Sequence, residues 1–299
     1  AASDVYKRQP TGMRVGRPMG WMRSARCHDP TLVRGRPTWR DDPFGRATHN
    51  EDVPTYRDEA VVLRTHKLGE ADRIITLLSR THGKVRAVAR GVRRTSSKFG
   101  GRLEPCNHVD VQFAVGRSLD IVTQVECLHP YGDPLTRDYV LYTTGETMLE
   151  VADRLVAVEN EPSLQQYRLL VGALRVLGQG TNDGPRPATM VLDSYLLRSL
   201  AVAGYAPVLD SCAKCGVMGQ QEWFSPSIGG MVCSGCRPPG SARPEPESWQ
   251  LLGALMSGDW PATRTVGEGT QREVSGLIAA FSSWHLEHQL RSLPLIPRG

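Results

Sequence analysis

Four cysteines form the clearest chemical pattern in the sequence. They make two Cys-x-x-Cys pairs, Cys212 with Cys215 and Cys233 with Cys236, and seventeen residues separate the two pairs. Four thiolates at this spacing can surround one Zn²⁺ ion tetrahedrally and leave no coordination position open for water. We therefore predict a single structural zinc ion. The alternative, a redox-active dithiol, requires only one such pair and does not account for the second.

A run of basic residues is the second chemical pattern. Nine lysines and arginines, and no acidic residue, lie between Asp72 and Glu104. Guanidinium, ammonium and hydroxyl groups bind phosphate oxygens without reading bases, and segment 91–101 adds serine, threonine and glycine. We expect these side chains to have no counter-charge and eight of them to bind nucleic acid: Arg73, Lys84, Arg86, Arg90, Arg93, Arg94, Lys98 and Arg102. The alternative is a basic surface that contacts only solvent.

The net charge of +5 over 299 residues is uninformative as a total. Its distribution is more telling, because residues 55–129 hold thirteen basic and eight acidic side chains, whereas residues 130–299 hold thirteen and seventeen. A basic segment therefore precedes an acidic one. A protein with a small net charge can still bind a polyanion when its cations are concentrated in one domain.

Short β-branched segments hold these cations. The segments are 60–64, 73–78, 85–89, 109–113 and 119–123. Turn residues at 81–83 and 116–118 predict two hairpins, and five strands of this length suit a small barrel. A helix over 73–80 is the alternative for the second segment. The two-residue period of the third strand places Lys84, Arg86 and Arg90 on one face.

Apolar residues recur at helical spacing from residue 137 onward. The pattern predicts helices over 141–156, 164–177, 187–200, 246–257 and 271–291. The cysteine pairs lie between the third and fourth of these helices, and residues 223–232 predict the hairpin of a zinc ribbon. Glu146, Glu150 and Asp153 share one helix face. We expect this face to contact solvent, the alternative being acid–base chemistry by paired carboxylates.

Residues 1–54 show neither strand nor helix periodicity and are rich in proline, glycine and arginine. We expect this leader to be disordered. Residues 4–9, Asp-Val-Tyr-Lys-Arg-Gln, also match one reading frame of a common transposon-end sequencing adaptor. We therefore expect the leader to be non-native, with Val53 as the favoured start. A natural basic tail with nonspecific affinity for nucleic acid is the alternative.

Motifs of common enzyme classes do not occur. The sequence lacks Gly-x-x-x-x-Gly-Lys-Ser/Thr, Gly-x-Ser-x-Gly and His-Glu-x-x-His, and the basic segment has few carboxylates for a magnesium-dependent nuclease. We therefore expect a nucleic-acid-binding protein without catalytic activity. RNA binding, on ribosomes or transcripts, is the alternative to DNA binding. The sequence also lacks a secretory signal and an apolar run of about 18 residues, so we expect a cytoplasmic protein with no membrane partner.

Taken together, these features resemble the RecO family of bacterial recombination mediators, and in particular its actinobacterial members. In the basic segment, the matching stretches are 56–63, 68–74, 83–94 and 97–105. Further on, the matches are Cys212-x-x-Cys215-Gly216, Phe224-Ser225, Gly229-Gly230 and Cys233-x-x-Cys236. The resemblance covers about residues 55–293, and it is specific because several separate motifs occur in order.

The resemblance implies an α+β fold with several domains. An OB-fold barrel would span 55–132, and an α-helical domain would span 133–293 with a zinc knuckle inserted at 212–236. It further implies a nucleoid-associated protein that binds single- and double-stranded DNA and anneals complementary strands coated by single-strand-binding protein. With RecR, it would help to load RecA onto those strands.

Overall fold

In the computed structural model, the described residues are 53–286 and 290–296. The leader predicted over 1–54 lies outside them, apart from its last two residues. The described residues all belong to one compact unit. Within it, a barrel is followed by a helical body, as expected. Side chains of the barrel and of the helical body pack together in one apolar core.

Five strands close into an OB-like barrel in the order β1-β2-β3-β5-β4. They are β1 (Thr55–Leu68), β2 (Asp72–Ser79), β3 (Gly83–Ala89), β4 (His108–Ala114) and β5 (Asp120–His129). β1 pairs antiparallel with β2 and β4, whereas β3 and β5 pair in parallel. All five predicted strands and both hairpins are confirmed, and the helical alternative for 73–80 is wrong.

The strands alternate between two apolar environments. Side chains such as Val62, Ile75 and Phe113 fill the barrel interior. On the outer face of β1 and β2, Val61, Leu63 and Leu78 instead join the core of the helical body. Because successive residues of a strand point to opposite sides, runs of consecutive apolar residues here indicate burial on both faces.

Six α-helices lie in the described chain outside the barrel. They are α1 (Gly132–Leu135), α2 (Tyr139–Leu155), α3 (Leu164–Gln179), α4 (Ala188–Val202), α5 (Pro246–Ser257) and α6 (Glu268–His285). α4 is central and contacts α2, α3, α5 and α6. α2 begins after Asp138, whose carboxylate accepts hydrogen bonds from the amides of Val140 and Leu141. None of the described helices combines the length and apolar character needed to cross a bilayer.

The last helix differs from its prediction over 271–291. It begins at Glu268, and its last residue is His285. The backbone N–H groups of Arg291 and Ser292 donate to the carboxylate of Glu150 at 3.0 Å each, so they do not continue the helical hydrogen-bond pattern. Arg291 and Ser292 therefore lie against α2, and a short 3₁₀ turn spans Leu293–Leu295.

Candidate nucleic-acid interface and metal centre

The two cysteine pairs converge at the base of a small hairpin between α4 and α5. The hairpin consists of β6 (Trp223–Ser225) and β7 (Gly230–Val232), which confirms the predicted hairpin. The Sγ atoms of Cys212, Cys215, Cys233 and Cys236 all lie within 4.8 Å of one another, and those of Cys215 and Cys233 are 3.9 Å apart. Four sulfurs about 2.3 Å from a tetrahedral ion are separated by about 3.8 Å, so the cluster has the dimensions of a metal site.

Backbone groups of both pairs stabilise the charged form of one sulfur, that of Cys212. N–H groups of Cys215 and Cys233 point at the Cys212 sulfur and lower the pKa of that thiol to about 6. Gly216 adopts a φ of +74°, which favours glycine, and its N–H donates to the Cys212 carbonyl at 2.8 Å. The crowded sulfurs raise the pKa of Cys236 to about 12. Four thiolates at this distance repel one another, and a bound divalent cation would offset that repulsion.

Aromatic contacts fix the hairpin to the helical body. The Phe224 ring lies 6.0 Å from the rings of both Trp249 and Phe281, measured between centroids. On the outer side, the guanidinium of Arg237 lies 3.8 Å from the centroid of the Trp223 ring. These ring contacts connect the segment between α4 and α5 to the core of the helical body.

Several predicted DNA-binding cations have carboxylate partners. Arg73 pairs with Glu104 at 2.7 Å, Lys84 with Asp153 at 3.2 Å, and Arg86 with Glu159 at 3.4 Å. Arg80, the ninth cation of the run, pairs with Glu59. The expectation that the run has no counter-charge is therefore wrong for these four residues. Their partners lie outside the acid-free segment, at its boundary or beyond, and the fold brings them together.

Lys84 occupies the contact between the barrel and α2. Its side chain is 10% exposed, and its Nζ also donates to the backbone carbonyl of Asp153 at 2.9 Å. The same carboxylate forms an ion pair with Arg64, whose Nε lies 3.2 Å from Asp153 Oδ2. The predicted solvent-facing role of Asp153 is wrong. That of Glu150 is wrong as well, because Glu150 binds the chain after α6.

A second group of cations is exposed and has no carboxylate partner among the described residues. These are Arg90, Arg93, Arg94, Lys98 and Arg102, in the loop that follows β3. Arg90 lies just past the end of β3 and so does not extend the face of Lys84 and Arg86. Phe99 and Leu103, both nearly fully buried, anchor the loop in the barrel core. We call this segment, residues 90–103, the basic loop.

Hydrogen bonds to carbonyl groups orient the cations of the basic loop. Arg93 donates to the carbonyl of Glu70 at 2.8 Å, in the turn between β1 and β2. Lys98 donates to the carbonyl of Thr123 in β5 at 2.8 Å, and Arg102 to that of Lys98 at 2.8 Å. A neutral carbonyl fixes the direction of a cation but leaves its charge uncompensated. The cations of the basic loop are therefore held in fixed positions, beside the β1–β2 turn and beside β5, and their charges are not neutralised by these contacts.

Two further exposed cations, Lys67 and Arg117, lie outside the set of predicted binding residues. Lys67 is exposed and lies opposite Arg73 in the β1–β2 register. It lies before Asp72 and so outside the acid-free run from which the binding residues were predicted. Arg117 is exposed between β4 and β5. In the sequence it is a single cation in a predicted turn, and this pattern alone does not indicate a binding residue.

A groove between α3 and α4 is a separate surface. Its volume is about 580 Å³, and Leu169, Val202 and Trp260 contribute apolar lining. Arg168 and Arg175, both exposed, lie at its edge and form no ion pair with any described residue. The groove therefore combines an apolar floor with uncompensated positive charge.

Comparison with known proteins agrees with both parts of the fold. The family model described as recombination protein O N terminal matches residues 53–131, and recombination protein O C terminal matches residues 136–294. The chain is 64% identical over 246 residues to DNA repair protein RecO of Cutibacterium acnes, covering 82% of this chain and 100% of that protein. It is 58% identical over 246 residues to the Nocardioides protein of the same name, covering 81% of this chain and 99% of that protein. The chain belongs to the RecO family of DNA repair and recombination proteins.

Proposed function

We propose that the protein is a non-enzymatic recombination mediator that binds single- and double-stranded DNA and anneals complementary strands. The observation that carries this proposal is the basic loop, with five exposed cations that no described carboxylate neutralises. Two strands repel through their phosphates, and a surface that binds phosphates of both offsets this repulsion. Because side chains that bind phosphates leave base edges uncovered, the bases would stay free to pair.

The binding surface that we propose ranks the eight predicted residues by their accessibility and adds two others. Arg90, Arg93, Arg94, Lys98 and Arg102 form its centre, with Lys67 and Arg117 as additions. Arg73 and Arg86 would join this surface when DNA binds, since each forms an accessible ion pair in which a phosphate could replace the carboxylate. Lys84 is the least accessible member because its ammonium is buried against Asp153.

We propose that the four cysteines bind one Zn²⁺. The ligand set Cys212, Cys215, Cys233 and Cys236 is entirely sulfur, with dimensions suited to a tetrahedral ion. Such an ion would stabilise the β6–β7 hairpin. With all four positions filled by protein, it would not bind a substrate.

For protein partners, we propose single-strand-binding protein, RecR and, indirectly, RecA, acting in the cytoplasm at the nucleoid. The groove between α3 and α4 suits a segment that combines acidic and apolar side chains, because its floor is apolar and its edge carries Arg168 and Arg175. We propose that single-strand-binding protein docks there. Coated strands would then be captured through protein contacts, whereas naked strands would depend on the basic loop alone.

The experiment measures annealing of complementary strands, both naked and coated by single-strand-binding protein. Arg94→Ala should slow annealing about 3- to 10-fold on both substrates, because one phosphate contact of about 1 kcal/mol is lost. Arg168→Glu should slow annealing of coated strands only. Adding RecR and RecA then tests whether RecA filaments form on coated strands.

Arg272→Ala is the matched control, since Arg272 is also exposed, lies on α6 and forms no ion pair with any described residue. It should anneal like the wild type. If Arg94→Ala and Arg272→Ala behave alike, the basic loop is not the DNA surface. Competition with RNA of equal length tests the RNA-binding alternative, and strand cleavage or ATP turnover that follows the protein would show enzymatic activity instead.

A further inference from the structure

The segment that follows α2 lies along the edge of β3. It comprises residues 157–162, which we call the acidic segment because it contains Glu159 and Glu161. The backbone N–H of Asn160 donates to the carbonyl of Lys84 at 2.9 Å, and Glu159 forms a parallel bridge with Lys84. β3 pairs with β5 only at Ala87 and Val88, so the acidic segment covers the part of the edge that β5 leaves unpaired.

Gly83 makes this close approach possible. A Cβ atom at Gly83 would lie 1.7 Å from the carbonyl oxygen of Glu161, and the φ of Gly83 is +67°. Both the backbone conformation and the available space therefore require glycine at this position. The contact between β3 and the acidic segment is thus built into the fold.

The acidic segment also places a carboxylate beside the cations of β3. Glu159 lies 3.4 Å from Arg86, and both side chains are well exposed, at 40% and 38%. In OB folds, the face formed by strands 2 and 3 commonly binds oligonucleotides. Glu159 therefore occupies a position at which a phosphate would otherwise meet Arg86.

Two carboxylates on this side of the barrel, those of Asp153 and Glu159, differ in burial and in the number of cations that bind them. Asp153 is mostly buried, is shared between Lys84 and Arg64, and belongs to the contact between barrel and helical body. Glu159 makes a single exposed ion pair, and such pairs contribute little to stability. Phosphate could therefore displace Glu159 from Arg86 while Asp153 stays in place.

We propose that Glu159 is an intramolecular competitor for DNA, which occupies Arg86 in the free protein and is displaced when a phosphate binds. This inference rests on the proposed DNA-binding function and adds a regulatory contact to it. The competitor weakens binding to short or isolated phosphates. A long strand that is already held by the basic loop presents phosphates at high local concentration and displaces Glu159 more readily.

The test compares Glu159→Gln with Glu161→Gln in the full chain. Both variants remove one negative charge from the acidic segment, but only Glu159 has a cationic partner among the described residues. At low salt, Glu159→Gln should bind single-stranded DNA about 2- to 5-fold more tightly than Glu161→Gln. Its plot of log affinity against log salt should also be steeper by up to about 0.7, the value for one additional phosphate contact.

Arg86→Ala completes a double-mutant cycle. It should weaken binding more in the Glu159→Gln background than in the wild type, because only there is Arg86 fully available. Equal affinities for the two glutamine variants, or equal effects of Arg86→Ala in both backgrounds, would refute the competitor. If the Glu159 variants fail in this way while Arg94→Ala still weakens binding in the same assay, only the proposed role of Glu159 is refuted and the proposed DNA-binding function stands. If no variant of the barrel cations changes binding, the proposed function fails and this inference with it.

Discussion

The four cysteine sulfurs lie so close together that they cannot all carry a negative charge without a cation. Backbone N–H groups favour a thiolate at Cys212, while the neighbouring sulfurs oppose a further charge at Cys236. A divalent cation would allow all four to ionise together. Metal binding and the local fold of the β6–β7 hairpin are therefore expected to depend on each other.

Replacing Cys215 by serine tests this dependence. We expect zinc content to fall from about one ion per chain to well below that, and the melting temperature to fall by at least about 5 °C, because metal binding contributes directly to folding. Metal analysis and thermal denaturation measure the two effects. Cys127→Ser is the control, since Cys127 lies on β5 outside the cluster. Unchanged zinc content in Cys215→Ser would show that the four-sulfur assignment is wrong.

Single residues also show where sequence reasoning reaches its limit. The cysteine cluster was predictable because the spacing within each pair constrains its own geometry. Lys84 was grouped with the exposed cations because charge runs do not reveal contacts across the fold. Its partner Asp153 is 69 residues away, and the contact depends on how α2 packs on the barrel.

Among the elements, the contact between β4 and α3 is sensitive to protonation. His108 Nε2 and the Tyr167 hydroxyl are 2.8 Å apart, and that hydroxyl donates to Glu59 at 3.3 Å. The hydroxyl proton is thus used for Glu59, so the imidazole carries its own proton on Nε2. His108 Nδ1 is buried and has no hydrogen-bond partner in the described structure. Protonation would place a donor there without an acceptor.

We therefore expect stability to fall as the medium becomes more acidic. Burial, and then the neighbouring His129, lower the pKa of His108 below its usual value of 6.5. The unfolded chain then binds the proton more readily, so this contribution is intact above pH 6.5 and is lost as pH falls below it. The free energy of unfolding measured in urea should therefore be lower at pH 5 than at pH 7.

His108→Gln serves as the comparison because glutamine cannot gain a proton in this range. The variant should be less stable at pH 7 but should lose less stability between pH 7 and pH 5. An identical pH dependence in both proteins would assign the effect to other groups, such as His285, whose pKa is also lowered by burial.

The elements themselves were largely predictable, because periods of two and of 3.6 residues follow directly from strand and helix geometry. The pattern did not show where elements end. β1 continues past Arg64 to Leu68 because it pairs with β2 as far as Asp72. α6 stops at His285, and Arg291 and Ser292 bind Glu150, which is a tertiary contact that no local pattern encodes.

At the scale of the whole molecule, charge is divided between a basic barrel and an acidic helical body. Part of the acidic charge is used to neutralise barrel cations through Asp153 and Glu159. The cations that stay unneutralised are concentrated in the basic loop. The strength of DNA binding should therefore follow the five loop cations more closely than the total of thirteen basic residues in 55–129.

Salt dependence measures the number of these contacts. With about five phosphates neutralised on single strands, log affinity should fall with log salt at a slope of about −3.5. Titrations of labelled DNA from low to moderate salt provide the slope, and Arg94→Ala should make it shallower by about 0.7. An affinity that hardly changes with salt would rule out phosphate contacts as the main source of binding.

The outer face of β1 and β2, with Val61, Leu63 and Leu78 in the helical core, has a practical consequence for dissecting the protein. A fragment that ends near residue 131 would contain every strand of the barrel yet leave this apolar face in water, where it would favour self-association. Apparent strand bridging by such a fragment could then reflect aggregates that hold several DNA molecules. The two family regions are separable in alignments, but annealing should be measured on a chain that contains both of them.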